Sequence, residues 1–249
     1  MGICFKETPK LFGIFHLLAL LAIILANTGL FFLLRRKKEE ELLKILNHIG
    51  LFMILAEVFK QWFCYVYVFN RQLNLWFFPW QLCSMAMYCA FISVFLPKKQ
   101  LQNAFLVFLA TFSLFADLIA LILPYDMLRD QIVLTCHSFA YHGLIITTAI
   151  IALLILKKRK DLKFLPSVYL FMIMALIAFM INLISHKILN DIHIEPNMFY
   201  ITMAYATTQP VFHDIAVKYG IFSEIVIYLL SIIACSYLFF KLERHYLFK

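Results

Sequence analysis

The chain is poor in charge, in glycine and in signature loops. Asp, Glu, Lys and Arg make up only 14% of its 249 residues, where a soluble domain carries about 25%. That leaves too little polar surface to coat a water-soluble fold. Six glycines, none in a glycine-rich run, exclude a phosphate-cradling loop, and neither GxSxG nor HExxH occurs. None of the six cysteines forms a CxxC pair, which argues against a zinc ribbon or a disulfide scaffold. Cys64, Cys83, Cys89, Cys136 and Cys235 lie inside apolar runs, where most thiols act as small hydrophobes. Convincing repeats and low-complexity tracts are also missing.

What is present is apolar: 64% of the residues are hydrophobic, and the mean hydropathy is +0.88. Lipid is the solvent such a chain requires. The net charge of +8 would suit a polyanion, but the cations gather in short clusters between long apolar runs. That is the pattern of cytoplasmic loops, so no nucleic-acid partner is expected. A bilayer core needs about 20 mostly apolar residues per helix. On that basis spans fall near 11–34, 45–69, 75–96, 101–123, 131–156, 164–189 and 220–240. The expected fold class is all-α: a polytopic bundle of about seven transmembrane helices forming a single domain over 1–249. Residues 190–219, with Pro196 and Pro210, read as an outer loop with a short helix.

Lys and Arg in alternate loops set the orientation. One side carries fifteen of them, from Arg35 to Lys249, and the other carries five: Lys6, Lys10, Arg71, Arg129 and Lys218. This bias places the C-terminus inside and the N-terminus outside, in a multi-pass protein of the cell membrane. The first apolar run is too long for a signal peptide, and its charges follow the run rather than precede it.

At 1.5 Å of rise per residue, position within a span converts to depth. Glu57, Lys60 and Gln61 lie at the middle or in the outer half of the second span, and Gln81 and Cys83 in the outer half of the third. Asp117, His137, His142, Asn182 and His186 take the outer parts of the next three. Five consecutive helices thus place their costly groups on one side of the midplane. Ionisable side chains in a span cost roughly 2.5–3.5 kcal/mol each on insertion scales, and they turn toward partners or a cavity. One polar cavity in the outer half accounts for the layer; helix–helix glue is the competing account. Glu57, Lys60, Gln61 and Cys64 follow i, i+3, i+4, i+7, a single stripe in which Glu57 and Lys60 can pair.

A buried thiol near a histidine suits covalent acyl transfer, with the thiolate as nucleophile and the imidazole carrying the proton. Cys83 follows Pro79, which frees backbone groups locally, and since the thiolate is the nucleophile, the site needs a base. By depth the nearest bases are His137 and His142, five residues apart and about 140° around a helix. Both reach one cavity only if it wraps part of the helix; otherwise one is structural. That angle also argues against a paired metal site, so neither metal nor cofactor is expected. A transporter or channel-like protein using Glu57, Lys60 and Asp117 as a substrate or proton pathway is the alternative. A structural membrane subunit is a third.

The chain resembles the YwaF-like family of bacterial integral membrane proteins, whose animal relative is transmembrane protein 164. The resemblance rests on Phe12-Gly13-Ile14-Phe15-His16, on Phe78-Pro79-Trp80-Gln81-Leu82-Cys83-Ser84, on His137-Ser138-Phe139-Ala140-Tyr141-His142 and on Asn197-Met198-Phe199-Tyr200. It implies seven helices and, through the animal member, a cysteine-dependent phospholipid acyltransferase with membrane lipids as partners. Carried over by motif, the nucleophile is Cys83, with His142 or His137 in support. The family often has a histidine just before Leu-Cys, where this chain has Gln81. The remaining polar positions, Glu57, Lys60, Gln61, Gln81, Asp117, Asn182, His186 and Asn197, are expected to line the cavity or bind substrate.

Overall fold

A computed structural model describes residues 4–72, 74–188 and 196–246. Among them, seven helices are long and apolar enough to cross a membrane: α1 (Ile14–Leu34), α2 (Glu39–Val68), α3 (Leu75–Phe95), α4 (Lys99–Ile122), α5 (Ile132–Leu156), α6 (Leu165–Lys187) and α8 (Ile221–Tyr246). A short helix, α7 (Phe212–Tyr219), precedes the last of them. Helix α5 is the most buried and α1 the least, so α5 runs through the middle of the bundle and α1 along its rim.

Two boundaries differ from the hydropathy reading, and both extend past the apolar zone. Helix α2 begins at Glu39 because three acids fill its first turn, favoured by the positive end of the helix dipole, and Glu41 accepts from the Lys38 amide at 3.4 Å. Helix α8 continues to Tyr246 on a charged last turn holding Arg244 and His245. Three helices are irregular. Helix α2 ends in a π-turn at Cys64–Val68, and α4 contains one at Leu109–Ser113. Helix α3 opens with a 3₁₀ turn, bends at Pro79 and restarts with a second 3₁₀ turn at Leu82–Ser84. The backbone freed by the bend is retied, because the Tyr88 hydroxyl donates to the Pro79 carbonyl at 3.0 Å. Trp80 donates its indole N–H to the Met174 carbonyl of α6 at 3.2 Å.

The core between α4 and α6 is a stack of rings, with Phe112 4.9 Å from Phe171, 5.3 Å from Phe108 and 5.6 Å from Phe164. Polar ties set the remaining crossings. His16 takes the Phe12 amide on Nδ1 at 3.0 Å, so Nε2 carries the proton and donates to the Leu121 carbonyl at 2.9 Å. That joins the start of α1 to the end of α4. At the other end, the buried Arg159 guanidinium donates to Glu39 at 2.6 Å, to Asn103 at 2.5 Å and to Gln102.

The tightest approach is between α2 and α3. A Cβ on Gly50 would stand 2.8 Å from the Cα of Phe91 and closer still to its nitrogen, so only glycine fits without moving backbone. Asn47 secures the same crossing by donating to the Phe91 carbonyl at 2.7 Å. Gly50→Ala is therefore expected to cost about 1–3 kcal/mol, the usual penalty for overpacking. The thermal unfolding midpoint of the detergent-solubilised protein reads it directly. An unchanged midpoint would mean that the two helices do not touch there.

Candidate functional site

Three helices bring Cys83, His142 and Asp117 together. Cys83 sits in the 3₁₀ turn that restarts α3 after the proline bend and is half-buried. His142 projects from the central helix α5, and its Nδ1 lies 2.5 Å from the Asp117 carboxylate of α4. Asp117 is 1% exposed and His142 7%, so this is a water-poor pair. A carboxylate only accepts, which assigns the proton to Nδ1. Nε2 is then the ring nitrogen left unengaged, and the Cys83 side chain lies near enough to the ring to interact with it. A thiol, an imidazole and a carboxylate gathered in this order make up the kind of relay in which an acid can orient a base toward a nucleophile.

His137 does not join them. Its Nε2 donates to the Ala56 carbonyl of α2 at 3.1 Å, and its ring stacks on Tyr141 one turn away. The 140° between the two histidines thus divides them between neighbours. Among the described residues, no three His, Cys, Asp or Glu side chains converge closely enough to hold a metal ion.

Glu57, Lys60 and Gln61 form a second cluster. Lys60 meets Glu57 at 2.7 Å, and Gln61 donates to the same carboxylate at 2.8 Å and to the Phe77 carbonyl. Glu57 is 3% exposed. Tyr141 lies within electrostatic range of both Cys83 and Glu57, and its buried hydroxyl has no hydrogen-bond partner among the described residues. Tyr200 and Tyr228 are also within range of Cys83. In the sequence, Tyr141 and Tyr200 stand out only as members of the His137–His142 and Asn197–Tyr200 motifs, and nothing marks Tyr228.

The other polar positions hold a loop. Residues 196–202 fold back into the bundle, with Met198 and Phe199 fully buried. Such a loop must satisfy its peptide groups without a helix or sheet to do so. Gln81 accepts from the Phe199 amide at 2.9 Å and donates to the Asn197 carbonyl at 3.0 Å. Asn182 accepts from the Met198 amide at 2.7 Å and donates to its carbonyl at 3.0 Å. Asn197 accepts from the Thr202 amide at 3.0 Å. The Nε2 of His186 lies between the Pro196 carbonyl at 3.2 Å and the Thr202 hydroxyl at 2.9 Å. These side chains, expected to line a cavity, spend their hydrogen bonds on the loop backbone. Phe199 and Tyr200 both hold left-handed backbone angles, with φ of 57°, and Tyr200 ties the loop to Asp126 at 2.8 Å. His213 bonds the Thr207 carbonyl at 2.8 Å, while residues 190–195, including His193, lie outside the described residues.

The model of the TMEM164 family covers residues 11–242, nearly the whole bundle and every residue of the relay. No curated protein and no solved structure matches the chain.

Proposed function

The chain belongs to the TMEM164 family, and on that premise we propose that it is an acyltransferase or transacylase that moves an acyl chain between membrane lipids through a thioester on Cys83. The observation that carries this reading is the relay of Cys83, His142 and Asp117 inside the bundle. His142 Nε2 takes the thiol proton, and the thiolate attacks the ester carbonyl of a lipid. The ester C–O bond breaks, and His142 returns the proton to the departing lipid alkoxide. An acceptor hydroxyl then gives its proton to His142 and attacks the thioester, and the cysteine leaves as thiolate and is reprotonated. Asp117 keeps Nδ1 protonated throughout and balances the imidazolium.

The turn that carries the nucleophile suits this chemistry. Leu82 and Cys83 head a helical run, so their amide N–H groups have no carbonyl a turn earlier to bond. Such amides stabilise an oxyanion forming at the attacked carbonyl. With the basic loops on the cytoplasmic side of the cell membrane, the relay lies in the outer half of the bilayer. The proline bend and the 196–202 loop surround it there.

The test is to trap the intermediate. Wild-type protein in vesicles of ester phospholipid is expected to carry an acyl group on Cys83 that neutral hydroxylamine removes, with none in Cys83→Ala. Lipid remodelling in cells should disappear with Cys83→Ser and persist in Glu57→Gln at matched protein levels. Full remodelling in Cys83→Ser, with loss in Glu57→Gln, would sink the thioester and favour a transport pathway through Glu57 and Lys60.

A further inference from the structure

The far end of the bundle carries a second feature, unconnected to the relay. Helices α1 and α5 cross where Asn27 donates to the Gly143 carbonyl at 3.2 Å and accepts from the Thr147 hydroxyl at 2.8 Å. Gly143 allows this approach, since a Cβ there would meet Ile23 at 3.2 Å. Beyond the crossing lies a groove of about 920 Å³ between the two helices. Its floor is apolar: Phe31 from α1 and Ile150, Leu153 and Leu154 from α5. Its rim is basic: Arg35 and Arg36 at the end of α1, and Lys157 and Lys158 just past α5. The stripe is continuous, because Asn27, Phe31 and Arg35 repeat at i, i+4, i+8, as do Ile150, Leu154 and Lys158.

Two of the carboxylates at this end face cations outside the groove. Glu41 faces Lys37 at 3.7 Å, and Glu39 faces Arg159 at 2.6 Å. Among the described residues none of the four rim cations pairs with an acid. Arg35 rests over the Phe32 ring at 4.9 Å, and Lys158 donates to the Lys37 carbonyl, which joins the rim across the two helices. The groove therefore offers hydrocarbon at membrane depth and unneutralised positive charge at the level of the headgroups.

We propose that this groove between α1 and α5 is a binding site for one anionic phospholipid, with an acyl chain against Phe31, Ile150 and Leu154 and the phosphate among Arg35, Arg36, Lys157 and Lys158. Charge complementarity selects the occupant: a zwitterionic lipid would leave the rim uncompensated, and basic pockets between membrane helices take anionic headgroups. The site is distinct from the relay. Leu153 is eleven residues beyond His142 on α5, or about 16 Å along the axis.

The experiment titrates purified protein with phosphatidylglycerol and with phosphatidylcholine of identical chains, and counts bound lipid by native mass spectrometry. One phosphatidylglycerol per chain is expected to bind in preference to phosphatidylcholine. Arg36→Gln with Lys157→Gln should weaken it about thirtyfold, roughly fivefold for each cation. Arg36→Lys with Lys157→Arg should retain it, which separates lost charge from lost folding. Lys44→Gln with Lys160→Gln, which removes two cations of the same face outside the groove, should also retain it. Equal binding of the two lipids, or equal loss in the groove and control pairs, would overturn the proposal. So would displacement of the lipid by millimolar inorganic phosphate, which would mean that the rim reads a free anion and the floor contributes nothing.

Discussion

Asp117→Asn is expected to lower kcat for acyl transfer by about 10³–10⁴-fold with little change in KM. The carboxylate accepts from Nδ1 of His142 at 2.5 Å, and in the proposed mechanism this leaves Nε2 to take the proton of Cys83. An amide of the same shape can present its NH2 to Nδ1, which favours the tautomer with the proton on Nε2. That tautomer cannot take the thiol proton. The packing is untouched, so stability and substrate binding should change little. Single-turnover measurement of thioester formation in reconstituted vesicles checks this, with His137→Gln as comparison. His137 gives its Nε2 proton to Ala56, and its replacement should leave most of the rate. A loss of less than tenfold in Asp117→Asn would reduce the carboxylate to a structural contact and remove it from the proposed mechanism.

Lys60→Met is expected to destabilise the protein by about 3–5 kcal/mol, the usual result of leaving one member of a buried ion pair alone. Glu57 is enclosed between α2 and its neighbours, with Lys60 at 2.7 Å and the Gln61 amide at 2.8 Å. Without the ammonium, one amide cannot balance a carboxylate in a low-dielectric bundle. Glu57→Gln with Lys60→Met should recover most of the loss, because the double variant removes both charges and keeps the shapes. Unfolding midpoints of wild type, both single variants and the double variant in one detergent give the cycle. Additive losses would mean that the two side chains do not interact.

The bundle was largely legible in the sequence because the bilayer imposes its thickness on every span. The hydropathy runs therefore mark seven helices, and they misjudge ends only where charge continues a helix into water, as at Glu39 and Lys241. The interior of α3 was partly legible, since Pro79 announces a break but not the two 3₁₀ turns around it. For the site, depth along each span placed Cys83, Asp117 and His142 at one level. Facing is a different quantity, and in lipid every side of a helix is apolar, so periodicity carries little of it. The sequence could not choose between His137 and His142, whereas the backbone at Ala56 and the carboxylate at Asp117 divide them.

The 196–202 loop was least legible. Its left-handed residues are Phe199 and Tyr200, with no glycine to signal them. The amides that satisfy its backbone come from Gln81 and Asn182, on helices far away in the chain. A side-chain amide reads the same in sequence whether it greets a substrate or a peptide group. Only its neighbours in space tell the two apart.

The π-turn at Leu109–Ser113 has a bearing on the carboxylate a few residues beyond it. A wide turn takes up one residue more than an α-helix of the same rise, and each residue is worth about 100° of azimuth. The two halves of α4 are therefore phased independently. The first half, with Leu106 and Phe108 buried, is set by its packing in the aromatic core. The second half is set by the bearing of Asp117 toward α5. A helical wheel drawn through the whole of α4 as one regular helix would misdirect that carboxylate by about one residue's rotation. The offset is the clearance that lets a single rod fill a core at one end and aim an acid at the other.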